Sequence, residues 1–205
     1  MGLANETLID ENVIKAAEAG DKESILKIAD ACASGVGREK DVICAWVLYH
    51  REAGLPKTDE RVMKLENIIN EKKRLAVETG DPEGQFIMGK CYYWGVEVEQ
   101  DYKEAMRWFE LAAENDVPEA QYMLWTTYYW GSRGVTTDRE RAVYWLGRAA
   151  ALGYKEAVLD QGHMYFYGWS GEVNYPKALE KYREAGWGEE HKMIQKVKKM
   201  IALQD

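Results

Sequence analysis

The sequence predicts an all-α protein, a right-handed α–α superhelix (solenoid) of stacked helix-turn-helix repeats. Three observations carry this. A glycine-terminated apolar segment recurs at intervals of 36 and 37 residues, an Asp or Asn follows each glycine at a near-constant distance, and no alternating strand pattern survives once these segments are assigned. The segments end Tyr92-Tyr93-Trp94-Gly95, Tyr128-Tyr129-Trp130-Gly131 and Tyr165-Phe166-Tyr167-Gly168. Eleven residues before each glycine stands a small residue, Gly84, Ala120 or Ala157. Downstream, Asp101, Asp138 and Asn174 each precede an alanine by four residues (Ala105, Ala142, Ala178), and Ala112, Ala149 and Ala185 follow those alanines by seven.

Taken in chain order, residues 1–20 read as an N-terminal cap helix, because Ile14-Lys15-Ala16-Ala17-Glu18-Ala19-Gly20 looks like the end of a second helix without its partner. Residues 21–54 form repeat 1, a weaker copy in which Gly35 is followed by Asp41 and Ala45 at the same spacings and Cys32 stands where the other copies have Tyr. The register breaks over 55–80, which reads as one long helix with Val62, Leu65, Ile68, Ile69 and Leu75 at helical spacing: an inserted helix or a degenerate half-repeat. Repeats 2, 3 and 4 occupy 81–116, 117–153 and 154–188, and 189–205 is a C-terminal cap helix with Met193, Val197, Met200 and Ile201 on one face and lysines on the other. All of these are assigned to a single solenoid domain, 1–205.

Within a repeat, Asp81-Pro82-Glu83 starts the first helix: Asp accepts from free N–H groups and Pro at the first helical position loses no hydrogen bond. The glycine stops that helix. Asp41, Asp101, Asp138 and Asn174 then stand where a side-chain oxygen caps the second. Hairpins of this length bury their apolar faces only by stacking on one another.

The chain has 205 residues, 46% hydrophobic and 30% charged, with Lys+Arg 27 against Asp+Glu 35 and a net charge of -8. That excludes bulk disorder and disfavours nucleic acid, whose phosphates an acidic chain repels. The longest apolar run, Ile43 to Tyr49, is far short of the ~20 residues that cross a bilayer. The N-terminus shows no basic stretch before an apolar core, and Glu6 stands where myristoylation at Gly2 wants Ser or Thr, so a cytoplasmic location is expected. Cys32, Cys44 and Cys91 cannot pair completely and read as reduced, mostly buried thiols.

The residues resemble the Sel-1-like repeat (SLR) family, a branch of the tetratricopeptide-repeat (TPR) superfamily. One copy stands as Gln85-Phe86, Met88-Gly89, Tyr92, Gly95, Asp101, Lys103-Glu104-Ala105, Trp108 and Ala112-Ala113. The next stands as Ala120-Gln121-Tyr122, Leu124, Tyr128, Gly131, Gly134-Val135, Asp138, Ala142, Trp145 and Ala149-Ala150. Trp125 departs from the pattern. It holds the position of Ala29, Gly89 and Gly162, where a small residue lets paired helices approach, and is expected to widen the pair or turn outward.

The resemblance implies a protein-binding scaffold rather than an enzyme, with first helices lining a concave groove. The groove positions it assigns are Phe86, Lys90, Tyr93 and Trp94; Tyr122, Thr126, Tyr129 and Trp130; and Leu159, His163, Phe166 and Tyr167. Repeat 1 contributes Leu26, Asp30, Ala33 and Ser34, so the groove is aromatic except at its N-terminal end. A protein or peptide is the expected partner, because rigid rings bury much area at little rotamer cost. Two alternatives stand beside it: a scaffold self-assembling through its ends or convex face, motivated by the 58–79 helix and its Lys72-Lys73-Arg74 cluster, and a small-molecule binder or enzyme, for example one stacking a sugar on the rings.

Other motifs fail. Gly84 to Cys91 has phosphate-loop spacing but ends in Cys where magnesium needs Ser or Thr, and it falls inside a helix. Gly168-Trp169-Ser170-Gly171 misses the nucleophile-elbow spacing. His50, His163 and His191 have no paired metal-ligand spacing. No catalytic, cofactor-binding or metal-ligating residue is therefore expected.

Overall fold

The computed structural model describes residues 9–36, 40–131, 134–169 and 171–203; Gly2, Glu6 and Ser170, named above, lie outside them. Among the described residues the regular structure is entirely helical: α1 (Glu11–Glu18), α2 (Lys22–Ser34), α3 (Val42–Trp46) continuing as a π-helical segment (Val47–Glu52), α4 (Glu60–Glu78), α5 (Pro82–Trp94), α6 (Tyr102–Glu114), α7 (Pro118–Trp130), α8 (Arg139–Ala151), α9 (Lys155–Tyr167), α10 (Tyr175–Glu184) and α11 (Lys192–Ala202). The fold is that of a helical repeat solenoid. The chain forms two compact units divided between Asp101 and Tyr102, each taken here by itself.

One loop design recurs. Gly35, Gly95, Gly131 and Gly168 end their helices in the left-handed conformation, at φ 79°, 63°, 63° and 68°. A side chain is strained there and glycine is not. Six or seven residues on, the capping residue turns its backbone N–H back onto the first helix: Asp41 onto the Cys32 carbonyl (2.8 Å), Asp101 onto Tyr92 (3.1 Å), Asp138 onto Tyr128 (2.9 Å) and Asn174 onto Tyr165 (2.8 Å). In each case the acceptor lies three residues before the glycine. The cap side chains then accept from the next helix: Asp41 from the Ile43 and Cys44 amides, Asp138 from Arg141, Asn174 from Lys177.

In the first unit, α1 packs on α2, α2 on α3 and its π-helical continuation, α3 on α4, and α4 on α5. The 55–80 segment thus supplies, in α4, a helix that does for α5 what a preceding second helix would do. Gly84 makes this possible. A Cβ there would sit 3.0 Å from the Ala76 amide nitrogen and closer still to the Lys72 carbonyl oxygen, both on the α4 backbone. The core holds Ala29, Cys32, Ile43, Trp46, Tyr49, Val62, Leu65 and Ile69.

The π-helical segment has a sequence cause. In the other copies an alanine follows Ala105, Ala142 or Ala178 by seven residues; after Ala45 the matching buried alanine is Ala53, eight residues on. The wider turn takes up the extra residue. Ala53 is thereby buried like Ala112, Ala149 and Ala185.

In the second unit, α6 packs on α7, α7 on α8, α8 on α9, α9 on α10 and α10 on α11. Ile194 and Val197 of α11 are fully buried against Phe166, Ala178 and Tyr182, while Lys192, Lys196, Lys198 and Lys199 are exposed. The close approach of α9 and α10 depends on Gly162, where a Cβ would lie 2.6 Å from two Tyr182 ring carbons. Trp125, at the equivalent place in α7, does not turn outward; it is buried, 2% exposed. The sizes are exchanged between the helices: the α8 residue in register with Tyr182 is Leu146, so the third repeat puts its large ring on the first helix and the smaller residue on the second.

Gly162→Ala is expected to destabilise by about 1–3 kcal/mol, since Tyr182 has no room to retreat. Gly147→Ala, a helical site in α8 with nothing within 4 Å of the added carbon, is expected to stabilise by up to about 1 kcal/mol. Urea unfolding of both variants checks the pair.

Candidate functional site

In the first unit the four expected groove residues lie along α5. Phe86 is half-buried, with the Lys90 ammonium 5.3 Å from its ring centre. Lys90 is itself held by an ion pair with Asp41, the cap of α3. Tyr93 is half-buried, edge-on to Trp94 at 5.1 Å and 75°. Trp94 is 42% exposed. The Arg51 guanidinium donates to the Trp94 carbonyl (2.7 Å) and to the Gly95 carbonyl, placing a cation at the C-terminus of α5 where the helix dipole favours it.

In the second unit the positions on α7 and α9 split into three groups. Phe166 is 7% exposed and sits in the core with Ala178, Tyr182, Ile194 and Val197, so it is withdrawn as a partner contact: α11 covers it. Leu159 is partly buried against the same core. Thr126 spends its hydroxyl on the Met123 carbonyl at 3.0 Å. Trp130 and Tyr167 are the outward group, 69% and 50% exposed. Tyr122, Tyr129 and His163 are half-buried and belong to a connected set of rings.

That set runs through Trp125 and Trp169, which the sequence did not assign to the groove. Trp125 lies 4.5 Å from Tyr129, Tyr129 lies 5.7 Å from Trp169, and Trp169 stacks on Tyr167 at 5.5 Å and 11°. Asp160 fastens one end, accepting from the Tyr122 hydroxyl (2.9 Å) and the Trp125 indole N–H (3.1 Å). A cleft of about 350 Å³ opens beside the rings, lined by Trp125, Tyr129, Arg139, Glu140, Val143, Met164 and Trp169. Of the expected groove residues, this cleft contains Tyr129. Its other walls come from Trp125, the first turns of α8, Met164 of α9 and Trp169, which follows the stop glycine; the signal for Trp169 was a tryptophan where the earlier copies have Val36, Val96 and Ser132.

His163 lies between Tyr182, Trp187, Tyr167 and Trp169. Its Nδ1 is 2.9 Å from the Tyr182 hydroxyl, a hydrogen bond whose direction follows the imidazole tautomer. Burial lowers the His163 pKa from 6.5, the Asp160 charge opposing this weakly. Burial also raises the phenols of Tyr122, Tyr128 and Tyr182, which therefore remain donors. Among the described residues no cluster of three or more His, Cys, Asp or Glu forms a metal site.

Glycine-stopped helix pairs, three of them with rings at the end of the first helix, define a helical-repeat protein of the solenoid class. The Sel1 repeat family model matches residues 82–117, 118–154 and 157–185. The chain is similar to a Sel1 repeat protein from Oxalobacter formigenes, with 32% identity over 63% of this chain and 96% of that one, at a TM-score of 0.55. It is also similar to a protective antigen with an SLR fold from uropathogenic Escherichia coli, with 25% identity over 85% of this chain and 40% of that one, at a TM-score of 0.52. Comparison with curated proteins gives no match. The chain belongs to the Sel1 repeat family.

The lowered pKa of His163 sets a pH dependence. Above 6.5 the histidine is neutral folded or unfolded; below it the unfolded chain takes up a proton that the folded site resists, so stability falls as pH drops through that window. Melting curves from pH 7.5 to 5 are expected to show this loss, and His163→Gln to flatten it.

Proposed function

We propose that this chain is a non-enzymatic protein-interaction scaffold whose aromatic first-helix ends hold a protein or peptide partner. One observation carries the reading: Trp94, Trp130 and Tyr167, each 42% exposed or more, stand at the same register position immediately before a stop glycine. Large rings left in water at one repeated position suit contact with a partner. Membership of the Sel1 repeat family supports this, since such proteins generally act as protein-interaction scaffolds. Among the described residues no helix is long and apolar enough to cross a membrane.

The cleft beside Trp125 and Trp169 favours a second, narrower reading, an occupant the size of one side chain or one small molecule. Its rim carries both signs of charge, Arg139 and Glu140. An anchoring side chain of the same partner fits that description without adding a separate activity.

Peptides selected from a displayed random library against the whole chain provide the test. Calorimetry is expected to show at least about tenfold weaker binding, some 1.4 kcal/mol, for Trp130→Ala and Tyr167→Ala. Met63→Ala, an exposed apolar residue on α4, serves as the control and is expected to bind as the parent does. Equal binding by all of them removes the rings from the reading.

A further inference from the structure

The recurring loop brings two positions face to face across a hairpin: the residue three before the stop glycine, on the first helix, and the residue three after the cap, on the second. In repeat 3 these are Tyr128 and Arg141, with the guanidinium carbon 4.2 Å from the ring centre. In repeat 4 they are Tyr165 and Lys177, with the ammonium 5.4 Å from the ring centre. In repeat 1 the same two positions hold Cys32 and Cys44, and their sulfurs are 3.1 Å apart. The thiols meet because the hairpin of repeat 1 puts these positions together as those of repeats 3 and 4 do. The replacement is paired: both members of the ring–cation contact have become cysteine.

We propose that Cys32 and Cys44 are an oxidisable dithiol, a modification site at which hydrogen peroxide closes an internal disulfide across α2 and α3. Cys44 is partly exposed and Cys32 is fully buried, which orders the steps. Peroxide oxidises the Cys44 sulfur to a sulfenic acid, its O–O bond breaking and one water leaving. The Cys32 sulfur then attacks the Cys44 sulfur, the S–O bond breaks, and a second water leaves. Two thiols and one peroxide thus give one disulfide and two waters. The sulfurs of a disulfide lie about 2.05 Å apart, so an approach of about 1 Å completes the bond. Cys91, the third thiol, is fully buried, and burial pushes its pKa up to about 11, so it stays in the inert thiol form. The bond encloses residues 32–44 and removes freedom from the unfolded chain, while the folded hairpin hardly moves.

The test uses the whole chain, reduced and then exposed to hydrogen peroxide. Remaining thiols are alkylated after denaturation, and the product is mapped by mass spectrometry. The expected product is monomeric, lighter by two hydrogen atoms, with a Cys32–Cys44 cross-linked peptide and alkylated Cys91. It melts several degrees higher than the reduced chain, and dithiothreitol reverses the shift. Cys91→Ser is expected to form the same bond. Cys44→Ser and Cys32→Ser are expected to lack both the bond and the shift, and helical circular dichroism reports whether each is folded. Recovery of Cys44 as sulfinic acid with Cys32 still alkylated overturns the proposal, as does a chain linked to a second copy through Cys44.

Discussion

Each hairpin depends on one backbone hydrogen bond, from the amide of a second helix's capping residue to a carbonyl three residues before the glycine that ends the first. The glycine reverses the chain, because its left-handed φ is strained for other residues, and the returning amide pins the loop. Once that bond is made, the relative register of the two helices is fixed without any particular side chain. Ring–cation pairs, the thiol pair and the outward placement of the residue before the glycine all follow from it. The same frame thus accepts tyrosine, cysteine, arginine or lysine at its facing positions.

The interior is built from small residues on one helix and rings on its neighbour. Gly162 under Tyr182 is one such case, and Trp125 with Leu146 shows the sizes exchanged between helices without loss of burial. The rings bring polar tips inside, and these need partners. An acidic chain has carboxylates to offer. Tyr49 donates to Asp30, Tyr122 and Trp125 to Asp160, Tyr128 to Glu110, and Trp46 to Glu66. Part of the negative charge is therefore a set of acceptors for these tips, half-buried at Glu66, Glu110 and Asp160 and exposed at Asp30.

What could be read from the sequence was what depends on local backbone: stop glycines, caps, helix pairs and their period. These are conditions on a few consecutive residues, and composition shows them. What could not be read was set by distant neighbours. Tyr93, Tyr129 and Phe166 share one register position, yet Phe166 is sealed because α11 lies over it, while the other two are half-buried. Trp125 depends on Asp160, thirty-five residues away. Trp169 lies in the loop between the stop glycine and the cap Asn174, where spacing carries no expectation. Lys90 is the counter-ion of a helix cap in the preceding repeat, a pairing across forty-nine residues that spacing does not show.

The π-helical segment after α3 shows how such a chain tolerates an error in length. An extra residue in an ordinary helix would rotate everything beyond it by about 100° and turn its buried stripe toward water. Here the slip is absorbed within a single turn, and Ala53 comes back into phase with the alanines of the other copies. Helices of this kind can drift in length by one residue and still present their neighbours with an unchanged surface.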